Sequence, residues 1–119
     1  MTAVVSTAVD DEVVYLAPDN FAMVEAGVYR SAFPRTKHIA FLERLKLKSV
    51  VSLVPEDYPL KMSEFYERNS IKLLVHGLDG NKYPFKEIDH VLLQSVLDDI
   101  LNIDNRPLLI HCNKGNNHY

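Results

Sequence analysis

Cysteine is scarce in this 119-residue sequence, since Cys112 is the only one. A single cysteine cannot form a disulfide within its own chain, so we expect a reducing compartment and predict a cytoplasmic protein. Basic runs are absent too: 13 Lys and Arg against 16 Asp and Glu give a formal charge of -3. Without a concentrated positive surface, neither a nucleic acid nor an anionic membrane is an expected partner.

Long apolar runs are also missing. No stretch approaches the ~18 consecutive apolar residues of a membrane-spanning helix. Residues 1–19 lack the cationic segment and apolar core of a secretory signal, and no internal repeat follows them. The hydrophobic share of 47% and the charged share of 24% are ordinary for a globular domain. These features predict one domain over residues 20–119, preceded by a loosely held leader over residues 1–19.

Short β-prone runs alternate with helical patterns along the rest of the chain. Strands are predicted at 28–31, 49–54, 72–76 and 108–112, and helices at 38–45, 60–68 and about 88–103. The apolar positions of the last helix form one stripe, consisting of Ile88, Val91, Leu92, Val96, Ile100 and Ile103. This alternation predicts an α/β fold with a mostly parallel central sheet flanked by helices. Binding sites of such folds form at the carboxyl ends of the strands.

Cys112 ends the last predicted strand and precedes a glycine-containing segment, residues 113–119. The amides of such a loop can form an anion-binding nest, and a following helix N-terminus would add partial positive charge. This field would stabilise a thiolate, which beside a bound phosphate is a nucleophile for phosphoryl transfer. An arginine six positions after the cysteine would complete the site, but His118 stands there. Taken alone, such a cysteine is more often a buried structural thiol.

Short motifs elsewhere in the chain add more specific information. They are Asn20-Phe21, Gly27-Val28-Tyr29-Arg30-Ser31, Phe33-Pro34, Phe41-Leu42, Pro55-Glu56-Asp57-Tyr58-Pro59, Gly77-Leu78-Asp79-Gly80 and Pro107-Leu108-Leu109-Ile110-His111-Cys112. In this order they resemble the plant and fungal atypical dual-specificity phosphatases, and the resemblance extends from about residue 20 to Gly115. Many short matches in register are more specific than a single loop.

The resemblance implies a cysteine-dependent phosphatase fold without a cofactor, with Cys112 as the nucleophile. The implied substrates are a phosphorylated small molecule, an inositol pyrophosphate, or a phosphoprotein of the phosphotyrosine type. Asp79 is the candidate general acid, and a turn aspartate beside glycines is the alternative. The candidate substrate-binding residues are Arg30, His111, Asn113, Lys114, Gly115, Asn116, Asn117 and His118.

Two of the substrate-binding candidates have a structural alternative. Arg30 can be a surface arginine at a strand end, and His111 can be a packed strand-end histidine. A metal site at His111, Cys112 and His118 is not expected, because three ligands crowd into one loop with no fourth group in view.

The sequence departs from the family pattern after Gly115. The family loop continues Gly-Lys-His-Arg-Thr-Gly into a helix, whereas this sequence ends Gly115-Asn116-Asn117-His118-Tyr119. A splice variant or a misplaced gene end would account for this break. We therefore expect a domain that lacks the helices after the phosphate-binding loop, has a partly uncovered sheet face and shows weak or no turnover.

Two other functions stay open at this point. The first is a non-catalytic relative that binds anions or a partner protein, or self-associates through the uncovered face. The second is a rhodanese-type sulfur carrier, which the first motifs of the series, from Asn20-Phe21 to Phe33-Pro34, disfavour.

Overall fold

The computed structural model describes residues 14–54, 58–76 and 90–112. Within these ranges the structure has five strands: β1 Ala22–Glu25, β2 Val28–Ser31, β3 Ser49–Ser52, β4 Lys72–Val75 and β5 Leu108–His111. The same ranges contain three helices, α1 Ile39–Leu45, α2 Leu60–Arg68 and α3 His90–Leu101, with 3₁₀ turns at Thr36–His38 and Ile103–Asn105. None of the helices in these three ranges is long and apolar enough to cross a membrane.

The strands form one sheet in the order β1-β2-β5-β3-β4. Strand β5 pairs in parallel with both β2 and β3, and β3 pairs in parallel with β4. Only β1 is antiparallel, and it joins β2 through a turn at Gly27, whose φ of +80° is a conformation that glycine adopts without strain. The predicted α/β fold with a mostly parallel sheet is therefore confirmed.

Helices α1 and α2 cover one face of the sheet, which we call the α1/α2 face. Its buried cluster consists of Leu42, Leu47, Val50, Met62, Phe65, Tyr66, Ile71 and Leu109. The predicted bounds of α2 are confirmed, and its Met62, Phe65 and Tyr66 are buried. Large apolar side chains spaced three and four residues apart reach the same side of a helix, which explains this success.

Among the described residues, helix α3 covers the opposite face, called the α3 face, whose buried cluster is Val28, Val51, Leu53, Val54, Val96, Leu108 and Cys112. The predicted single stripe on this helix is partly wrong. Val96 and Ile100 pack on the sheet, but Val91 and Ile103 are 78% and 74% exposed. Val91 lies about 140° around the helix from Val96, and Ile103 lies beyond the end of α3. Ile88 lies outside the described residues.

A second apolar stripe runs along the flank of α3. It consists of Leu93, Leu97 and Leu101, which are 37%, 41% and 64% exposed. These leucines are spaced four residues apart, so they line one side of the helix next to the side that packs on the sheet. We call this surface the leucine flank.

Candidate active site

Cys112 directly follows β5, the central strand of the sheet. The preceding residue, His111, is in register with Ser31 of β2 and Ser52 of β3. The backbone N–H of Leu53 donates to the His111 carbonyl at 3.0 Å, so the sheet pairing continues up to the cysteine. Cys112 thus lies at the carboxyl edge of the sheet with a parallel strand on each side, where α/β folds place their sites.

His111 is the best-defined side chain beside Cys112. It is 1% exposed, and its Nε2 is in hydrogen-bond contact with the hydroxyl of Tyr58. Its Nδ1 lies 3.3 Å from the carbonyl oxygen of Cys112. Burial lowers the pKa of His111 to about 4, although the hydrogen bond to the Cys112 backbone acts in the opposite direction. The imidazole is therefore neutral at pH 7.

Aromatic rings surround this histidine. Phe33 packs edge-on against His111 with ring centroids 4.9 Å apart, and against Tyr58 at 5.1 Å. Tyr66 of α2 packs edge-on against Tyr58 at 5.2 Å. Burial raises the pKa of both Tyr58 and Tyr66, so both are neutral phenols at physiological pH. We call Phe33, Tyr58, Tyr66 and His111 the aromatic cluster.

Tyr58 is a residue of the site that the sequence did not single out. It lies 53 residues before His111, and its segment was noted only as part of the family resemblance. No local pattern links the two residues, because their contact depends on where the tertiary structure places Tyr58 relative to the end of β5. A buried tyrosine whose hydroxyl meets a buried histidine is visible only in the tertiary structure.

Arg30 lies on the same side of the sheet as Cys112. It pairs in register with Ile110, and Cys112 is two residues further along the same chain segment as Ile110. Side chains two apart in a strand point to the same face, so Arg30, Ile110 and Cys112 share the α3 face. Arg30 is exposed. Its predicted role in substrate binding stays a prediction.

The other predicted site residues lie outside the described residues: Asp79, Asn113, Lys114, Gly115, Asn116, Asn117 and His118. Among residues 14–54, 58–76 and 90–112, no three His, Cys, Asp or Glu side chains group closely enough to hold a metal ion. His76, to which the sequence assigned no role, has its Nε2 2.5 Å from Oδ2 of Asp99. This contact ties the end of β4 to α3 immediately before the segment that carries Asp79.

Comparison with known proteins identifies the family of this fold and site. The sequence matches the family described as the tyrosine phosphatase family over residues 15–119. The chain belongs to this family. Its relatives include the inositol diphosphatase Siw14 of Saccharomyces cerevisiae, 48% identical over 101 residues that make up 84% of this chain and 36% of the relative. The inositol diphosphatase DSP1 of Oryza sativa subsp. japonica is 45% identical over 82% of this chain and 44% of its own length.

One further relative carries a different description. The probable tyrosine-protein phosphatase DG1060 of Dictyostelium discoideum is 39% identical over 85% of this chain and 61% of its own length. The chain therefore spans about a third to two thirds of the length of these three relatives. The similarity to plant and fungal proteins confirms the predicted membership of the atypical dual-specificity phosphatases.

Solved structures of phosphatases share the fold. The core catalytic domain of the PP-IP phosphatase Siw14 from S. cerevisiae, solved in complex with citrate, superimposes with a TM-score of 0.77 at 44% identity. The match covers 85% of this chain and 60% of that domain. P. aeruginosa TpbA matches with a TM-score of 0.66 at 27% identity, covering 83% of this chain and 56% of TpbA. The predicted phosphatase fold is thus confirmed for this member of the tyrosine phosphatase family.

Proposed function

We propose that this chain carries the nucleophile of a cysteine-dependent phosphatase that hydrolyses the diphosphate group of inositol pyrophosphates. The carrying observation is the position of Cys112 at the carboxyl end of the central parallel strand, between two neighbouring strands. The substrate class is supported by relatives that are named inositol diphosphatases. A phosphotyrosine-type substrate is the second candidate, supported by the relative named a probable tyrosine-protein phosphatase.

The reaction would proceed in two displacements. The Cys112 thiolate attacks the terminal phosphorus, an S–P bond forms, and the bridging P–O bond breaks. The proposed general acid, Asp79, gives its proton to the departing phosphate oxygen. Water then attacks the same phosphorus, the S–P bond breaks, and inorganic phosphate and the thiolate are released. The base that takes the proton of this water is the Asp79 carboxylate formed in the first step.

Binding of the anionic substrate would fall to the loop after Cys112 and to Arg30. We assign the loop residues Asn113, Lys114, Gly115, Asn116, Asn117 and His118 to this role, since successive loop amides can collect phosphate oxygens. Arg30 supports the assignment because it shares a face of the sheet with Cys112. The Siw14 core bound citrate, a polyanion, which supports an anion site in this fold.

A non-catalytic role is the alternative, and a specific observation favours it. The position six residues after Cys112 holds His118, which lacks the planar fork with which arginine binds two phosphate oxygens. Such a protein would bind anions without turnover, or would associate with a second copy through the leucine flank. We expect weak or absent turnover for this sequence.

The proposed location is the cytoplasm, because a single cysteine without a partner in its own chain is kept reduced there. The domain division at residue 19 also stays a proposal. Tyr15, within the proposed leader, lies against α1, with the Arg44 guanidinium 4.8 Å from the centroid of its ring.

The test is phosphate release from an inositol pyrophosphate and from an aryl phosphate. The sequence of 119 residues is compared with Cys112→Ser, and with a longer version that carries His118→Arg and the helices of a relative. Cysteine-dependent release by the longer version alone would support the phosphatase and the predicted weakness of the shorter sequence. Phosphate release by the shorter sequence would refute the prediction that its turnover is weak or absent. No release by either version, with retained phosphate binding, would establish the non-catalytic alternative.

A further inference from the structure

Tyr15 makes a contact with α1 that no role assigned above uses. The Arg44 guanidinium lies over the Tyr15 ring, 4.8 Å from its centroid, and Nη1 of the same arginine donates to the phenol oxygen at 3.3 Å. This distance is longer than the usual range of a hydrogen bond from nitrogen to oxygen, and the pair is exposed. The phenol oxygen thus lies beside a permanent positive charge that a stronger acceptor would bind more tightly.

A surface cleft beside this ring supplies a second cation. Its volume is about 590 Å³, and it is lined by Tyr15, Ala40, Glu43, Arg44 and Lys46. Two of the three charged side chains are cations and Glu43 is the one anion, so the lining of the cleft is positive overall. The cleft therefore has room for a group attached to the tyrosine, and its charge favours a group that is anionic.

The segment around Tyr15 has the form of a chain that an enzyme can bind. Residues 14–18 are neither helix nor strand, and the neighbours of the tyrosine, Val14 and Leu16, are 68% and 46% exposed. The sequence over residues 10–12 is Asp-Asp-Glu. Kinases recognise charge patterns in their substrates, and acidic residues shortly before a tyrosine are complementary to a basic substrate groove.

The other tyrosines that the structure describes lie in less accessible places. Tyr29 is part of β2, and Tyr58 and Tyr66 belong to the aromatic cluster. Each of these would have to leave the sheet or the core before an enzyme could bind it in an extended form. Among the described tyrosines, Tyr15 is therefore the one whose hydroxyl a modifying enzyme reaches without unfolding the domain.

The cleft lies toward the edge of the sheet opposite Cys112. The backbone N–H of Lys48, two residues after Lys46, donates to the carbonyl of Pro107 at 2.8 Å, and Pro107 directly precedes β5. Cys112 directly follows the same strand. A group attached at Tyr15 is therefore separate from the candidate nucleophile, and the inference does not rest on the proposed phosphatase function.

We propose that Tyr15 is a phosphorylation site, and that Arg44 and Lys46 hold its phosphate so that residues 14–17 dock on α1. The phosphoryl group comes from a nucleoside triphosphate bound to a tyrosine kinase. The bond from the phenol oxygen to the γ-phosphorus forms, and the bond between the γ-phosphorus and the bridging oxygen breaks. The phenol proton passes to the catalytic aspartate of the kinase, and the nucleoside diphosphate leaves.

The phosphate would strengthen a contact that is already in place. It carries a charge of about -1.5 to -2 at pH 7 and three acceptor oxygens. The planar fork of Arg44 can bind two of these oxygens, and Lys46 adds a point charge. Glu43 repels the phosphate, but the two cations of the cleft outweigh its single charge. Phosphorylation therefore converts a long, neutral contact into charge-assisted hydrogen bonds.

The first experiment asks whether the folded chain is a kinase substrate. The 119-residue protein carries Cys112→Ser, which prevents removal of the phosphate by the chain itself, and is incubated with ATP and a tyrosine kinase that accepts acidic sites. We expect mass spectrometry to place a phosphate on Tyr15, and Tyr15→Phe to lose it. A peptide of residues 8–22 is treated in parallel. Labelling of the peptide without the protein would show that the contact with α1 withholds the tyrosine, and labelling of neither would show that the sequence is not recognised. Either result would overturn the proposal.

Hydrogen exchange of the backbone amides tests the docking. We expect phosphorylation to slow exchange at residues 14–17 about tenfold or more, the effect of charge-assisted hydrogen bonds. Arg44→Gln should abolish this slowing. Arg68→Gln, which removes an exposed arginine of α2, is the matched control and should retain it. Exchange that is unchanged by phosphorylation, or slowed equally in the two variants, would overturn the proposal.

Discussion

The two faces of the sheet differ in how completely the described residues cover them. On the α1/α2 face, Leu42, Met62 and Phe65 are fully buried between two helices and the sheet. On the α3 face, Val96 is the one buried side chain of α3 among those described, and the leucine flank stays exposed. Stability should therefore depend mainly on the first face. The second face carries Cys112 and Arg30 and has apolar surface left for contacts.

The largest expected effect comes from the α1/α2 face. Phe65→Ala removes a fully buried ring from its centre and should lower the free energy of unfolding by about 3–5 kcal/mol. Leu97→Ala on the leucine flank is the matched comparison, and its cost should be below about 1 kcal/mol, because the side chain already contacts solvent. Urea unfolding followed by circular dichroism measures both. Equal losses would show that the two faces contribute alike.

A pH effect should follow from His111. Its pKa is about 4 in the folded protein and about 6.5 in an unfolded chain. Between about pH 6.5 and pH 4, the unfolded chain therefore binds a proton at this histidine that the folded protein does not bind. The stabilisation is complete above that pH and is lost as the pH falls to about 4, by roughly 3 kcal/mol in total.

Unfolding experiments at a series of pH values test this effect. In His111→Gln the loss between pH 6.5 and 4 should shrink, leaving the smaller contribution of His38, whose pKa is also lowered, chiefly by burial. His90→Gln on the exposed side of α3 is the control and should retain the whole loss. An unchanged pH dependence in His111→Gln would contradict the assignment.

Substitution of Arg30 tests whether the α3 face takes part in substrate binding. In an active, longer version of the protein, Arg30→Gln should raise the KM for an inositol pyrophosphate by about tenfold, the effect of losing one charge-assisted hydrogen bond. Arg68→Gln removes an exposed arginine from α2 and should leave KM unchanged. Steady-state kinetics compares the two, and matching KM values would remove Arg30 from the site.

The smallest expected effect on stability concerns the leucine flank. Leu97→Lys should change the free energy of unfolding by less than about 1 kcal/mol, because the position is partly exposed. It should weaken any self-association about tenfold, since a charge replaces apolar contact area. Leu60→Lys, at an exposed leucine of α2, is the control. Sedimentation analysis at several concentrations measures the association, and equal behaviour of both variants would exclude the flank as the contact surface.

The success of the sequence-based predictions depended on how strong the local pattern of each element is. Helix α2 and strand β3 were predicted closely, because each has a strong local pattern: Phe65 and Tyr66 face inward, and Val50 and Val51 lie in a short β-branched run. Strand β1 was not predicted, since Met23 and Val24 are exposed and the pairing with β2 depends on the turn at Gly27. The stripe on α3 was misassigned, because that helix is apolar on two sides.

The sequence by itself determined the fold class, the family and the position of Cys112 at the end of a strand. These features depend on local periodicity and on short motifs in order. Only the tertiary structure decided that Tyr58 meets His111, that Arg30 shares a face with Cys112, and that the leucine flank stays exposed. Each of these facts depends on which distant segments the sheet brings side by side. The order of strands in space, with β5 between β2 and β3, is set by the packing of the whole chain.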